Sequence, residues 1–390
     1  MQRYDVAVIG LGAMGSAAAY QLAKAGAKII GLDQFAPPHS YGSTHGDTRI
    51  TRLAIGEGEE YVALAKRSHE LWREIEQESG ASLLTQCGGI IIMPEGLKTE
   101  HHGAGDFLKR TIVAAEKFGI EHEVLTAEAI NERFPQFAVS PGVQGYFEPE
   151  AGYLRPEQCV QTQLDLARKY GTELQTGEKV LSYDAKPDEV IIKTTKGEYA
   201  ANKIVITAGP WINDLVPGYK RLFRIYRQVL YWFDIENANA AELWQNSPVF
   251  VWMFGERQED YVYGFPAVNG ERGGIKVATE HYAEETGPDN TDRNVSHSEI
   301  KEMYQEHVRG KLSGIKNKCL QAKTCLYTVT PDSKFLIDYH PQHPNVLVAS
   351  PCSGHGFKHS AAIGEVLAEL LNKGKSTIDI SEFTFDKRLQ

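Results

Sequence analysis

The sequence predicts an α/β fold in two parts: a Rossmann-like domain assembled from separate stretches of chain, and a second domain built on a largely antiparallel sheet. Three observations predict it. Residues 5–33 read as a buried strand, a glycine turn, a helix and a second strand ending in an acid. Over about 219–323 aromatic residues thicken and apolar alternation of period two dominates. Beyond 323 the continuous apolar runs and glycine loops of the first stretch return. At 390 residues the chain exceeds one ordinary core, and a hydrophobic content of 42% suffices for two.

In the opening unit Val6, Ala7, Val8 and Ile9 form an apolar run that breaks at Gly10-Leu11-Gly12-Ala13-Met14-Gly15. Gly10 permits the tight turn, Gly12 lets backbone approach a pyrophosphate, and Gly15 lets the following helix lie close to the strand. That helix opens on small residues, Ser16 to Ala19, and its free N–H groups face the phosphates. Asp33 closes the next strand, where a carboxylate accepts hydrogen bonds from ribose hydroxyls and repels a 2′-phosphate. With strand, helix, second strand and acid all in place, the unit reads as the seat of an adenine dinucleotide.

A proline-bearing connection, 34–40, leads into a polar, basic segment, 42–52, which on pattern alone is as much a solvated surface loop as a ligand contact. Periodicity predicts helices over 60–77, 107–117, 126–133 and 156–169, the last with Pro156 at its start. Strands are expected at 90–93, 152–154, 173–174, 180–183, 189–194 and 203–207. In the second domain alternation predicts strands at 229–233, 249–254, 261–265 and 275–279, with one helix near 298–308. Strands at 335–338 and 346–349, a glycine loop at 353–358 and a closing helix at 360–371 follow. The Rossmann-like domain is therefore expected from 1–85, 145–218 and 324–390, and the second domain from 86–144 and 219–323.

Composition excludes several classes. The chain carries 41 basic and 51 acidic residues, a net charge of −10 without long blocks, which argues against nucleic acid or an anionic membrane as partner. Five cysteines without a CxxC pair suggest neither a disulfide framework nor a zinc knuckle, and a cytoplasmic setting is expected. No apolar run is long enough to span a bilayer. His101-His102 and Glu121-His122-Glu123 lack metal-ligand spacing and read as solvated faces, so no metal is expected. There is neither a GxSxG elbow nor a Walker A loop.

Several segments together carry a more specific signal: the glycine turn with Asp33, the run Gly42-Ser43-Thr44-His45-Gly46-Asp47-Thr48-Arg49, then Gly56-Glu57-Gly58, Tyr263-Gly264-Phe265-Pro266, Lys276, Cys325-Leu326-Tyr327-Thr328, and Ser353 to Lys358. On these the chain resembles, nearly end to end, the monomeric sarcosine oxidases and N-methyltryptophan oxidases, flavoprotein amine oxidases of the wider glycine and D-amino-acid oxidase group. The resemblance implies FAD as cofactor, an N-methyl or other N-substituted amino acid as substrate, dioxygen as acceptor with release of hydrogen peroxide, and a monomer.

The resemblance also implies roles residue by residue. It places His45 and Arg49 beside the flavin ring, where positive charge stabilises the reduced form. Ser43, Thr44, Thr48, Gly354, Gly356, Phe357 and Lys358 complete the cofactor's surroundings with Gly10, Gly12, Gly15 and Asp33. Arg52 and Lys358 resemble the pair that clamps the substrate carboxylate, Tyr263 matches a pocket tyrosine, and Lys276 matches the lysine that activates oxygen. Cys325 matches the cysteine bonded covalently to the flavin, an attack that needs thiolate character. Without the resemblance, Arg49 reads as a surface cation, Lys276 as a snorkelling edge residue, and Tyr263 and Cys325 as core. Three departures touch the substrate pocket. Thr44 stands where close relatives carry a second histidine, Leu53 and Ile55 replace a histidine and a tyrosine, and Glu280 and His281 compete for the position of a pocket histidine. An FAD dehydrogenase with another electron acceptor, a nicotinamide dehydrogenase and a non-catalytic flavin-binding protein are the alternatives.

Overall fold

The apolar run Arg3–Ile9 is a central strand of an eight-stranded sheet in the computed structural model, which describes residues 2–98 and 100–389. Buried on both faces, it pairs in parallel with Ile29–Asp33 on one side and Glu198–Ile206 on the other. Glu173–Thr176 extends the parallel order beyond Ile29–Asp33, and His343–Ser350 pairs in parallel with the last residues of Glu198–Ile206. The antiparallel strands Val180–Lys186, Glu189–Thr194 and Leu336–His340 complete the sheet.

Small side chains decide how its helices stack. Ala13–Lys24 packs against both Pro156–Lys169 and Ser360–Lys373. A Cβ on Gly364 would lie 2.5 Å from that of Ala17, so the alanines after the glycine turn let the closing helix cross at near backbone contact.

The second domain holds an eight-stranded sheet in the order Ile315–Val329, Arg224–Ile235, Ile275–Ala278, Tyr261–Gly264, Val249–Met253, Gly89–Pro94, Val143–Glu148, Glu123–Thr126. Every neighbouring pair is antiparallel except Gly89–Pro94 with Val249–Met253. Its inner face buries Ile90, Ile92, Phe233, Phe250 and Trp252 against Phe137 and Trp244. A three-stranded sheet, Arg49–Thr51, Gly152–Leu154 and Leu84–Gln86, carries the chain between the two large sheets.

The expected elements recur, but the second domain holds a helix at Ala238–Gln245 besides the one expected, and the 15-residue strand Ile315–Val329 lies where none was expected. The helix expected near 298–308 begins at His297 with a Ser296–Glu299 capping box and ends as a π-helical stretch, Met303–Val308. Two expected domain boundaries fall inside strands: 145 within Val143–Glu148 and 324 within Ile315–Val329, both of which belong to the second sheet throughout. Apolar pattern marks a strand but not its partner, so neither boundary was visible in it. The consequence is functional, because the end of Ile315–Val329 carries Cys325 and Tyr327 from the second sheet to the first domain.

Candidate active site

The three glycines of the first turn have three separate surroundings. Gly10 has φ +89° and a Cβ there would meet the Thr207 carbonyl at 2.6 Å, while a Cβ on Gly15 would lie 1.7 Å from the Gly10 carbonyl oxygen. At Gly12 the nearest atom to such a Cβ is Thr44 Oγ1 at 3.8 Å, so this glycine leaves open space beside the helix start. Helix Ala13–Lys24 has no side-chain cap, which leaves its first N–H groups to an outside acceptor. Asp33 accepts the amides of Leu11 at 2.7 Å and Phe35 at 2.8 Å; burial pushes its carboxyl up and those amides pull it back. The cleft along this turn holds about 1340 Å³ of empty space, its mouth included. It runs from Asp33, Phe35 and Trp211 past Gly12 to Ser43, Thr44 and Arg49, and ends at Gly354, Gly356 and Phe357. An open glycine at a bare helix start, an acid at one end and Arg49 at the other fit FAD.

The polar segment 42–52 is interior structure, not a solvated loop. His45, Thr48 and Arg52 are buried. Arg49 donates to the carbonyls of Ser43 at 2.7 Å and Thr48 at 2.8 Å. Neither nitrogen of His45 has a partner; burial, then Arg49 and Lys276, push its pKa down to about 3, so the imidazole is neutral.

Lys276 lies inside the second sheet and does not snorkel. Its ammonium donates to the carbonyls of Gly46 and Thr48, each at 2.7 Å, and stands 4.5 Å from the centre of the Phe265 ring. Burial and the nearby Arg49 push its pKa well below that of an ordinary lysine. Cys325 is fully buried, its sulfur 3.7 Å from the Ser43 carbonyl and 3.8 Å from Arg49 Nη2. Burial pushes its thiol up while Arg49 draws it down. Tyr327 and Cys352 line the cleft directly. Cys319, on the same strand, is only half-buried.

Arg52 and Lys358 converge on one carboxylate. Arg52 Nη2 is 2.6 Å from Glu57 Oε2, and Lys358 Nζ is 3.7 Å from Glu57 Oε1 and donates to the His355 carbonyl at 2.8 Å. Burial opposes the charge on Glu57, but the two cations hold it well below the usual carboxylate range. Burial also brings Lys358 down to about 8. Tyr263 stands in the same neighbourhood, half-buried beside the rings of Tyr261 and Phe265.

Three further residues join this group. His102 lies between two acids, Nδ1 3.4 Å from Glu57 and Nε2 3.0 Å from Glu280, and Tyr282 donates to Glu280 at 2.9 Å. The reading of His101-His102 as a solvated face is thereby corrected: a short hairpin, turned at His102 (φ +48°) and Gly103 (φ +73°), folds both rings inward. Of Glu280 and His281, it is Glu280 that faces this group. The backbone of His281 is gripped by Gln228 and the residue is exposed, whereas the Glu280 side chain is buried against His102. Among the described residues, His101, His102 and Glu280 form the one group with donor atoms close enough to share a metal ion, and there His102 and Glu280 already satisfy each other.

Burial lowers the pKa of His102, but Glu280 and Glu57 more than reverse this and raise it from 6.5 to about 9. The stabilisation carried by that proton is complete below the unfolded value and is lost as pH climbs through the folded one. The thermal midpoint should therefore fall between pH 6.5 and 9, and His102→Gln should flatten that slope. An equally steep fall in the variant would assign the dependence to another group.

Residues 5–370 match the family described as FAD dependent oxidoreductase. Over 387 residues the chain is 36% identical to a monomeric sarcosine oxidase of Bacillus sp. strain NS-129, covering 98% of this chain and 97% of the relative. It is 32% identical over 389 residues to N-methyl-L-tryptophan oxidase of Escherichia coli, covering 99% of each. Among solved structures it superposes on NikD, an unusual amino acid oxidase essential for nikkomycin biosynthesis, with a TM-score of 0.85 at 21% identity over 98% of both chains. L-proline dehydrogenase of P. horikoshii follows at 0.81 and 23%, covering 98% of this chain and 97% of that one. The structural likenesses establish the fold. Among the described residues no helix is long and apolar enough to cross a membrane.

Proposed function

The chain belongs to the family of FAD dependent oxidoreductases, and from that premise we propose that it oxidises secondary amines, namely N-methyl or other N-substituted amino acids, with dioxygen as acceptor. The observation that carries this is the meeting of Arg52 and Lys358 on a single buried carboxylate beside the glycine loop that ends the dinucleotide cleft. Two cations aimed at one point suit a substrate carboxylate.

Each side chain then has a task. Arg52 and Lys358 hold the carboxylate, and Tyr263 walls the pocket. FAD, when bound, would supply the two-electron sink for the C–H bond beside nitrogen, with dioxygen as the final acceptor and hydrogen peroxide as its product. Water hydrolyses the resulting imine to an aldehyde and an amine. Arg49 presents fixed positive charge toward the cofactor, with neutral His45 beside it, and Lys276 does the same where oxygen is reduced. Gly10, Gly12, Gly15 and Asp33 receive the pyrophosphate and ribose, while Ser43, Thr44, Thr48, Gly354, Gly356 and Phe357 frame the remainder. A monomeric, cytoplasmic enzyme completes the reading, supported by five unpaired cysteines and by the relatives named monomeric.

Anaerobic mixing with sarcosine, N-methyl-L-tryptophan, pipecolate, proline and glycated amino acids tests it. At least one should bleach the flavin, and air should restore the colour with hydrogen peroxide as product. Bleaching without peroxide would mark a dehydrogenase, and no bleaching at all would reject catalysis on these amines.

Cys325 is the proposed covalent link, supported by its place against Ser43 and Arg49. Denatured wild-type protein should keep its flavin, and Cys325→Ser should release it. Release from Cys352→Ser instead would move the link to the thiol that lines the cleft.

A further inference from the structure

The buried charges beyond the cleft do not all belong to the carboxylate clamp. Arg52 and Lys358 face Glu57, whereas Glu280 lies on the opposite side of His102. Its side chain is 5% exposed, with one oxygen against His102 Nε2 and the other accepting the Tyr282 hydroxyl. A carboxylate has about four acceptor positions, so two such bonds leave capacity for another donor. A Cβ on Gly354 would come within 3.2 Å of Glu280 Oε1, which puts this carboxylate against the glycine loop bordering the cleft. An ionised acid this deep is costly unless compensated, and His102 with Tyr282 supplies the compensation without using every lone pair.

The site is thus bipolar: on one side two cations share the single charge of Glu57 and keep one positive charge in excess, on the other stands an anchored acceptor, and the glycine loop lies alongside. A zwitterionic amino acid has the same polarity. We propose that Glu280 is the specificity-determining acceptor for the substrate nitrogen, taking a hydrogen bond from the N–H of an amino acid whose carboxylate rests on Arg52 and Lys358. The assignment rests on the amino-acid reading above. It gives the departure at Glu280 a chemical meaning: the pocket demands a nitrogen bearing at least one hydrogen and discriminates against acids that lack nitrogen.

The test compares matched probes on holoenzyme: sarcosine against propionate, and N-methyl-L-tryptophan against indole-3-propionate. Affinities are read from perturbation of the flavin spectrum, and from KM where turnover occurs. In the wild type each nitrogen-bearing probe should bind at least about tenfold tighter than its partner, the range for a hydrogen bond to a charged group. Glu280→Gln should erase most of that contrast by weakening the nitrogen-bearing probe alone, and Glu280→Asp should restore part of it. Equal binding within the wild-type pairs would overturn the assignment without any variant, as would a parallel loss for both members in Glu280→Gln. A contrast that vanishes on substitution while no amine bleaches the flavin would support the assignment of Glu280 and reject the oxidase reading.

Discussion

Lys276→Met should slow reoxidation of the reduced enzyme by dioxygen by about 100- to 1000-fold, the usual cost of removing one preorganised charge from a reacting centre, while anaerobic reduction by substrate changes little. The expectation follows from where the ammonium sits. Two carbonyls, of Gly46 and Thr48, fix it at 2.7 Å each, and the Phe265 ring lies beneath it, so the charge needs no reorganisation when an electron arrives at neutral dioxygen. Its lowered pKa has a corollary. Raising the pH should titrate the lysine well before an ordinary one, and oxygen reactivity should fall with it, since only the protonated form helps. Stopped-flow measurement of the two half-reactions checks both statements. If reduction slows by the same factor as reoxidation, Lys276 serves only to tie down the loop at 46–48.

Arg52→Met should be the most destabilising single change in the site, and it should also raise KM. Arg52 and Glu57 are both buried and 2.6 Å apart, and breaking such a pair from one side costs about 3–5 kcal/mol because a charge is left uncompensated. Lys358 at 3.7 Å and His102 at 3.4 Å retain part of the compensation, which places the expectation at the low end of that range. Removing the charge from Glu57 as well should recover stability, so Arg52→Met/Glu57→Gln should melt above Arg52→Met. The double variant should not recover KM, because the substrate carboxylate has still lost its guanidinium. Thermal unfolding and steady-state kinetics on the three proteins separate the two effects. Recovery of KM in the double variant would remove Arg52 from the carboxylate clamp.

How much of this was legible depended on whether a residue's neighbours lie near it in the chain. The glycine turn could be read because its requirements are local: a positive φ at Gly10, no side chain at Gly15 and open space at Gly12 all arise within one strand-turn-helix unit. Lys276 was conspicuous for a similar reason, a charge within an apolar strand, although its two carbonyl partners come from a segment about 230 residues earlier. His102 offered no such signal. It belongs to a polar hairpin whose composition matches any exposed turn, and its meaning arises when that hairpin meets Glu57 and Glu280. Equally, the neighbouring letters Glu280 and His281 gave no means of choosing between them. The choice was made by Gln228 on the adjoining strand, which grips the backbone of His281 while the Glu280 side chain faces the charged cluster.

By itself, then, the sequence determined most of the strands and helices of the first domain, the nucleotide turn and which charged residues were out of place in their local pattern, while the strand Ile315–Val329 and the helix Ala238–Gln245 went unread. Those properties follow from side-chain periodicity and backbone sterics, which act over a few residues. Only the tertiary structure decided which charges share a buried space. That Arg52, Glu57, His102, Lys358 and Glu280 compensate one another follows from desolvation, which makes an isolated interior charge prohibitive and lets partners be found only after distant segments have packed together.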